Sequence, residues 1–122
     1  MQGIRLLLAQ FFAILVLAVV MWVAVWFSLY WRVWWLDIPM HLFGGVWAAL
    51  CAAWFFARRK EALSLVWCLV FALTIGVVWE IFEYVEGIAA PQYLSYSIDT
   101  TKDILMDLLG AVLGWIIARK LQ

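Results

Sequence analysis

The chain has 122 residues, 70% of them hydrophobic and 13% charged, with a net charge of +0 from eight Lys+Arg and eight Asp+Glu. An ordinary soluble domain is about 45–50% apolar, and one this small needs a polar coat because most of its residues lie near the surface. The composition therefore excludes a soluble monomer, a disordered chain and a disulfide-rich secreted module, and leaves an integral membrane protein folded as one domain over residues 1–122.

The apolar runs fall at about residues 4–30, 37–57, 62–85 and 101–118. A helix needs roughly 20 apolar residues to cross the hydrocarbon core. Without water, each run must satisfy its own backbone hydrogen bonds, so helices are the default. The runs are too uniformly apolar for the strands of an outer-membrane barrel. The expected fold is an all-α bundle of four transmembrane helices. The first run is longer than the apolar core of a secretory signal, and no small-x-small cleavage site follows it, so it reads as a retained helix of a bacterial inner-membrane protein. It carries only Gln10 and Ser28 as scattered polar groups and is expected at the periphery. Cys51 and Cys68 sit in apolar runs and read as small hydrophobic filler.

Basic residues set the expected orientation. Arg5, Arg58, Arg59, Lys60, Arg119 and Lys120 share one side of such a bundle, and only Arg32 and Lys102 lie on the other. The positive-inside rule then puts both termini in the cytoplasm. Trp31, Trp34 and Trp35 crowd the first outward connection, as an interfacial aromatic belt would. The connection from Gly87 to Thr100, with Pro91, is the only sizeable irregular segment expected.

Orientation gives the acids a pattern. Seven of the eight (Asp37, Glu80, Glu83, Glu86, Asp99, Asp103 and Asp107) fall at or near the outer face, together with His41, the only histidine. At 1.5 Å rise per residue, His41 lies about 6 Å below Asp37, and Glu80 and Glu83 lie within the last turns of the third run. Each helix also carries its acids on the stripe of its small residues: Asp37, His41, Gly45, Ala48 and Ala52; Gly76, Glu80, Glu83 and Gly87; Asp99, Asp103, Asp107, Gly110, Gly114 and Ala118. Residues three and four apart share a face, and small residues mark helix–helix contact in membranes. His41, Glu80, Glu83, Asp103 and Asp107 should therefore converge inside the bundle. Asp37, Glu86 and Asp99 read as an outer polar rim in reach of water, Asp37 and Asp99 also standing where helices are capped. A carboxylate inside the hydrocarbon costs about 2.5–3.5 kcal/mol even on the lenient insertion scale. Protons, a cation or a cationic group must neutralise the cluster.

Several segments resemble known families. Asp37-Ile-Pro-Met-His41 is similar to the D-x-x-x-H that opens a helix in VanZ-like membrane proteins, and Asp103-Ile-Leu-Met-Asp107-Leu-Leu-Gly110, followed by Gly114, resembles their last-helix signature. Trp79-Glu80-Ile-Phe-Glu83-Tyr84 resembles the W-E-x-x-E-aromatic segment of YjdF-type inner-membrane proteins, which His41-Leu-Phe-Gly44-Gly45 and Asp99-Thr-Thr-Lys-Asp103 also fit. The resemblance implies a small helical membrane protein. Its VanZ-like part points towards lipid-linked cell-wall precursors outside the membrane.

Three functional classes follow. In the first, a divalent cation (Mg²⁺, Ca²⁺ or Mn²⁺ on carboxylates, Zn²⁺ or Fe once His41 joins) is held by His41, Glu80, Glu83, Asp103 and Asp107 and acts on, or binds, a lipid head group or lipid-linked envelope precursor. In the second, the charges lock the bundle of a structural or accessory subunit. In the third, the acids carry protons or cations in transport, which in so small a chain requires oligomerisation. No Ser or Cys stands on the acidic stripe to serve a covalent mechanism. The expected partners are membrane lipids, further copies of the chain or a larger membrane complex; nothing reads as a nucleic-acid surface.

Overall fold

Apolar runs that must bond their own backbones become helices. In the structure, a computed structural model in which residues 2–88 and 95–122 are described, every regular element is one. They are α1 (Gln2–Trp26), α2 (Leu29–Arg32), α3 (Asp37–Arg58), α4 (Leu65–Glu86) and α5 (Tyr96–Leu121). Among the described residues, α1, α3 and α4 are long and apolar enough to cross a membrane. The fifth helix is as long, but its first half carries Asp99, Lys102, Asp103 and Asp107.

The first run is not one helix to Tyr30. It stops at Trp26, and Ser28 adopts a left-handed conformation with φ 55°. The chain then turns into α2, which brings Tyr30 back towards the bundle. The last helix also starts earlier than its apolar run, at Tyr96, so the expected irregular connection gives way to helix from there. Pro91 and the rest of 89–94 lie outside the described residues. Local caps account for other ends. The Ser64 hydroxyl accepts from the Val66 amide at the start of α4. Gly87, at φ 69°, ends that helix, its amide reaching back to the Glu83 and Tyr84 carbonyls. Pro39 stands in the first turn of α3, where its missing N–H breaks no helical bond.

Helix α3 is the centre of the packing. It meets α5 over the most extensive contact and also packs on α1 and α4. A Cβ on Gly110 would strike the Leu42 carbonyl, and one on Gly45 the backbone of Asp107. The two backbones touch where side chains elsewhere hold helices apart, as small residues allow in membranes. Ala48, Ala49, Ala52, Cys68, Ala72 and Ala111 fill the centre between α3, α4 and α5. The first helix is peripheral, burying Leu6, Ala13 and Ala24 while most of its large side chains stay exposed. The Cys51 thiol donates to Gln10 Oε1 over 3.1 Å, tying α1 to α3, and both cysteines are free.

The ends of the bundle differ in charge. Leu6, Ala53, Ala118 and Leu121 pack together, so the start of α1 meets the far ends of α3 and α5. Arg58, Arg59 and Arg119 lie there over the rings of Trp54, Phe55 and Trp115. His41 and the buried acids occupy the opposite end.

Candidate metal centre

Three helices deliver this layer: Asp37 and His41 from the start of α3, Glu80 and Glu83 from the end of α4, and Asp99, Lys102, Asp103 and Asp107 from the first half of α5. Their spacing of three or four residues keeps each set on one inward face.

His41 is the hub. It is 3% exposed, and its Nδ1 lies 3.2 Å from Asp107 Oδ2. Its Nε2 looks the other way, with Asp37 Oδ1 at 3.5 Å, Glu80 Oε1 at 3.7 Å and Asp103 Oδ2 at 3.9 Å. None of these four atoms has a hydrogen-bond partner among the described residues, although all are buried. An unpaired buried polar atom costs about 1–3 kcal/mol, so the four need either a proton on Nε2 to pair them or a bound ligand. Ligand atoms of Asp37, His41 and Asp103 all lie within 4.8 Å of one another, as do those of His41, Glu80 and Glu83.

The remaining groups are held by the protein. Lys102 Nζ lies 2.8 Å from Asp99, 3.1 Å from Asp103 Oδ1 and 3.5 Å from Asp37 Oδ2. The Thr100 hydroxyl donates to Glu80 Oε2 over 2.7 Å, and the Trp79 indole N–H to Glu83 Oε1 over 2.9 Å. Gly76 admits Asp107, whose carboxylate occupies the place a Cβ would take. Beside the layer, the Tyr30 hydroxyl is buried without a partner. Burial, then the charge of Asp37, pushes its pKa above the usual tyrosine value, so it stays a donor.

Charge sharpens the case. Six carboxylates (Asp37, Glu80, Glu83, Asp99, Asp103 and Asp107) face two basic side chains, His41 and Lys102. With every group ionised, four negative charges would stand uncompensated in a largely buried site.

The five residues singled out from spacing thus come together, in different places. His41, Glu80 and Asp103 surround the unpaired atoms. Glu83 stands at the side under the Trp79 indole. Asp107 lies behind the imidazole. Of the three expected rim acids, only Glu86 is exposed. Asp37 faces His41, and Asp99 is 5% exposed, because Lys102 draws both against the bundle. Neither is the N-cap, which is Leu36 for α3 and Ser95 for α5. Sequence reading passed over Lys102, Thr100 and Tyr30. Spacing offers only a partial hint for Lys102, three residues after Asp99, since it does not show the reach to Asp37 and Asp103; for Tyr30, hidden by the break at Ser28, there was none.

Residues 3–122 match the model of a family described as a predicted membrane protein, DUF2238. No curated protein and no solved structure matches the chain.

Proposed function

Because the chain belongs to this family of predicted membrane proteins, DUF2238, we propose that it is a bacterial inner-membrane protein whose His41 layer binds one divalent transition-metal ion and presents it to lipid head groups or lipid-linked envelope precursors. The observation that carries this is the ring of unpaired buried atoms, His41 Nε2, Asp37 Oδ1, Glu80 Oε1 and Asp103 Oδ2. A tetrahedral ion with bonds of about 2.0–2.1 Å separates its ligands by about 3.3 Å. The spacings of 3.5–3.9 Å from Nε2 are close to that figure, and two sets of three offer ligand atoms within 4.8 Å of one another, His41 with Asp37 and Asp103 and His41 with Glu80 and Glu83. One imidazole among carboxylates suits Zn²⁺ or Mn²⁺ better than Mg²⁺ or Ca²⁺. Asp107 on Nδ1 completes a carboxylate–histidine–metal relay that fixes the ring and strengthens it as a ligand.

An ion held by His41 and two of these carboxylates, with its fourth position open, would polarise a phosphoryl oxygen or lower the pKa of a water. The burial of Asp99, Asp103 and Asp107 on the inner face of α5 supports that helix as a fourth crossing. The bias of basic residues to the opposite end supports cytoplasmic termini and an outward-facing metal layer.

The test is a metal titration of the purified, chelator-treated protein in detergent. One Zn²⁺ or Mn²⁺ per chain is expected, lost in His41→Gln and Asp103→Asn and retained in Glu86→Gln. Absence of stoichiometric binding, or binding indifferent to His41, overturns the metal reading. It would leave the Lys102 bridges as a structural lock on the end of the bundle.

A further inference from the structure

Next to the metal layer, α1, α3 and α4 enclose a cavity of about 430 Å³, within the roughly 300–1,000 Å³ range of ligand pockets. Its walls are apolar: Leu17 and Met21 from α1, Met40 and Trp47 from α3, Ile75 and Trp79 from α4. Its polar groups are Tyr30, His41 and Asp107. We propose that this cavity seats one hydrocarbon chain of a membrane lipid, with the lipid's polar head at the His41–Asp107 end. The head assignment rests on the metal reading above; the chain seat rests on the cavity.

Three observations choose this occupant. First, α1 and α4 supply opposing walls, yet each packs on α3 and they are not a packed pair, which leaves a lateral way in between them. Second, the outward faces of both helices are apolar, with Trp22 on α1 63% and Val78 on α4 62% exposed. A water-soluble ligand would have to cross that apolar surface, whereas a lipid chain is already in it. Third, the Tyr30 hydroxyl, buried and without a partner among the described residues, is a donor placed for a head-group oxygen. Gly44 keeps room on the α3 wall, since a Cβ there would meet only Asp107 Oδ1, at 3.6 Å.

The test uses the full chain in phosphatidylcholine vesicles doped with a phosphatidylethanolamine that carries a photoactivatable diazirine near the end of one acyl chain. Adducts mapped by mass spectrometry should concentrate on Leu17, Trp47 and Ile75, farther from the His41 end, over Val78 and Ile81, which are exposed on α4. Ala18, on the α1 wall and itself exposed, takes a phenylalanine without crowding the core. Ala18→Phe should cut the cavity adducts at least about tenfold, since displacing even two methylene groups removes that much transfer free energy, and leave those at Val78 unchanged. Gly44→Leu, which fills the cavity from α3, should do the same and serves if Ala18→Phe does not fold. Labelling spread evenly over cavity and outer residues, or unchanged in both folded variants, overturns the proposal. Zn²⁺ titration of the same samples separates the two readings. Intact Zn²⁺ binding with even labelling sinks the chain seat alone. Cavity labelling that Ala18→Phe abolishes upholds the chain seat, whether or not Zn²⁺ binds.

Discussion

His41 presents its two ring nitrogens to different kinds of partner. With the proton on Nδ1, hydrogen-bonded to Asp107, the Nε2 lone pair faces Asp37, Glu80 and Asp103. Asp107 therefore acts through the imidazole, and Asp107→Asn should weaken Zn²⁺ binding by about tenfold, the low end of the effect of such outer partners because the amide oxygen still accepts. An affinity unchanged by Asp107→Asn in calorimetric titration would remove Asp107 from the relay. Lys102 is the fixed cation of the layer, within 3.5 Å of three carboxylates. Lys102→Met leaves those charges facing one another, so the melting temperature in chelator should fall while divalent-ion affinity rises. If both move downwards, Lys102 supports the metal rather than competing with it for charge. The roles of His41, Glu80 and Asp103 were legible as inward-facing ionisable groups. That of Lys102 was not, because a long flexible side chain reaches carboxylates from a position that its spacing alone assigns to a helix surface.

At the scale of the helices, the decisive contact is that of α3 with α5. A Cβ on Gly114 would stand 2.7 Å from both Ala49 Cβ and the Val46 carbonyl oxygen, so there is no room even for alanine without moving backbone. Gly114→Leu should lower stability by about 1–3 kcal/mol or more, as overpacked cores do, read as a lower melting temperature in detergent. Gly44→Ala, facing only Asp107 Oδ1 at 3.6 Å, should stay within about 0.5 kcal/mol of the parent. Equal melting temperatures for the two would place the α3–α5 seam elsewhere. The same seam sets the depth of the site. Gly45 and Gly110 let the backbones touch one turn from His41 and Asp107, which brings these two side chains within hydrogen-bonding distance. Gly87, grouped with Gly76 by spacing, is different. Nothing lies within 4 Å of a Cβ there, and its work is the left-handed turn that closes α4.

For the whole molecule, the segregation of charge is the main feature. Arg5, Arg58–Lys60, Arg119 and Lys120 belong to one end and the buried acids to the other, so a protein crossing the bilayer exposes the His41 layer to one compartment only. Reporter fusions should place Gln122 in the cytoplasm and the connection between α4 and α5 outside. A C-terminus on the outer side would turn the His41 layer to the cytoplasm and overturn the proposal that it meets lipid-linked precursors of the outer leaflet.

Composition and periodicity were enough to establish a helical membrane protein and to aim its ionisable residues inwards. Insertion energetics acts on each segment separately, and the 3.6-residue period assigns faces within one helix. They could not say which carboxylates share a site, because the rotation and depth of one helix against another depend on where backbones can touch. That is why Asp37 joined the ring around Nε2, Asp107 went behind it and Asp99 left the rim for Lys102. The break at Ser28, the return of Tyr30 and the cavity between α1 and α4 were likewise decided only in three dimensions. Each depends on how segments distant in the chain fill space against one another, a property that no local pattern of residue types encodes.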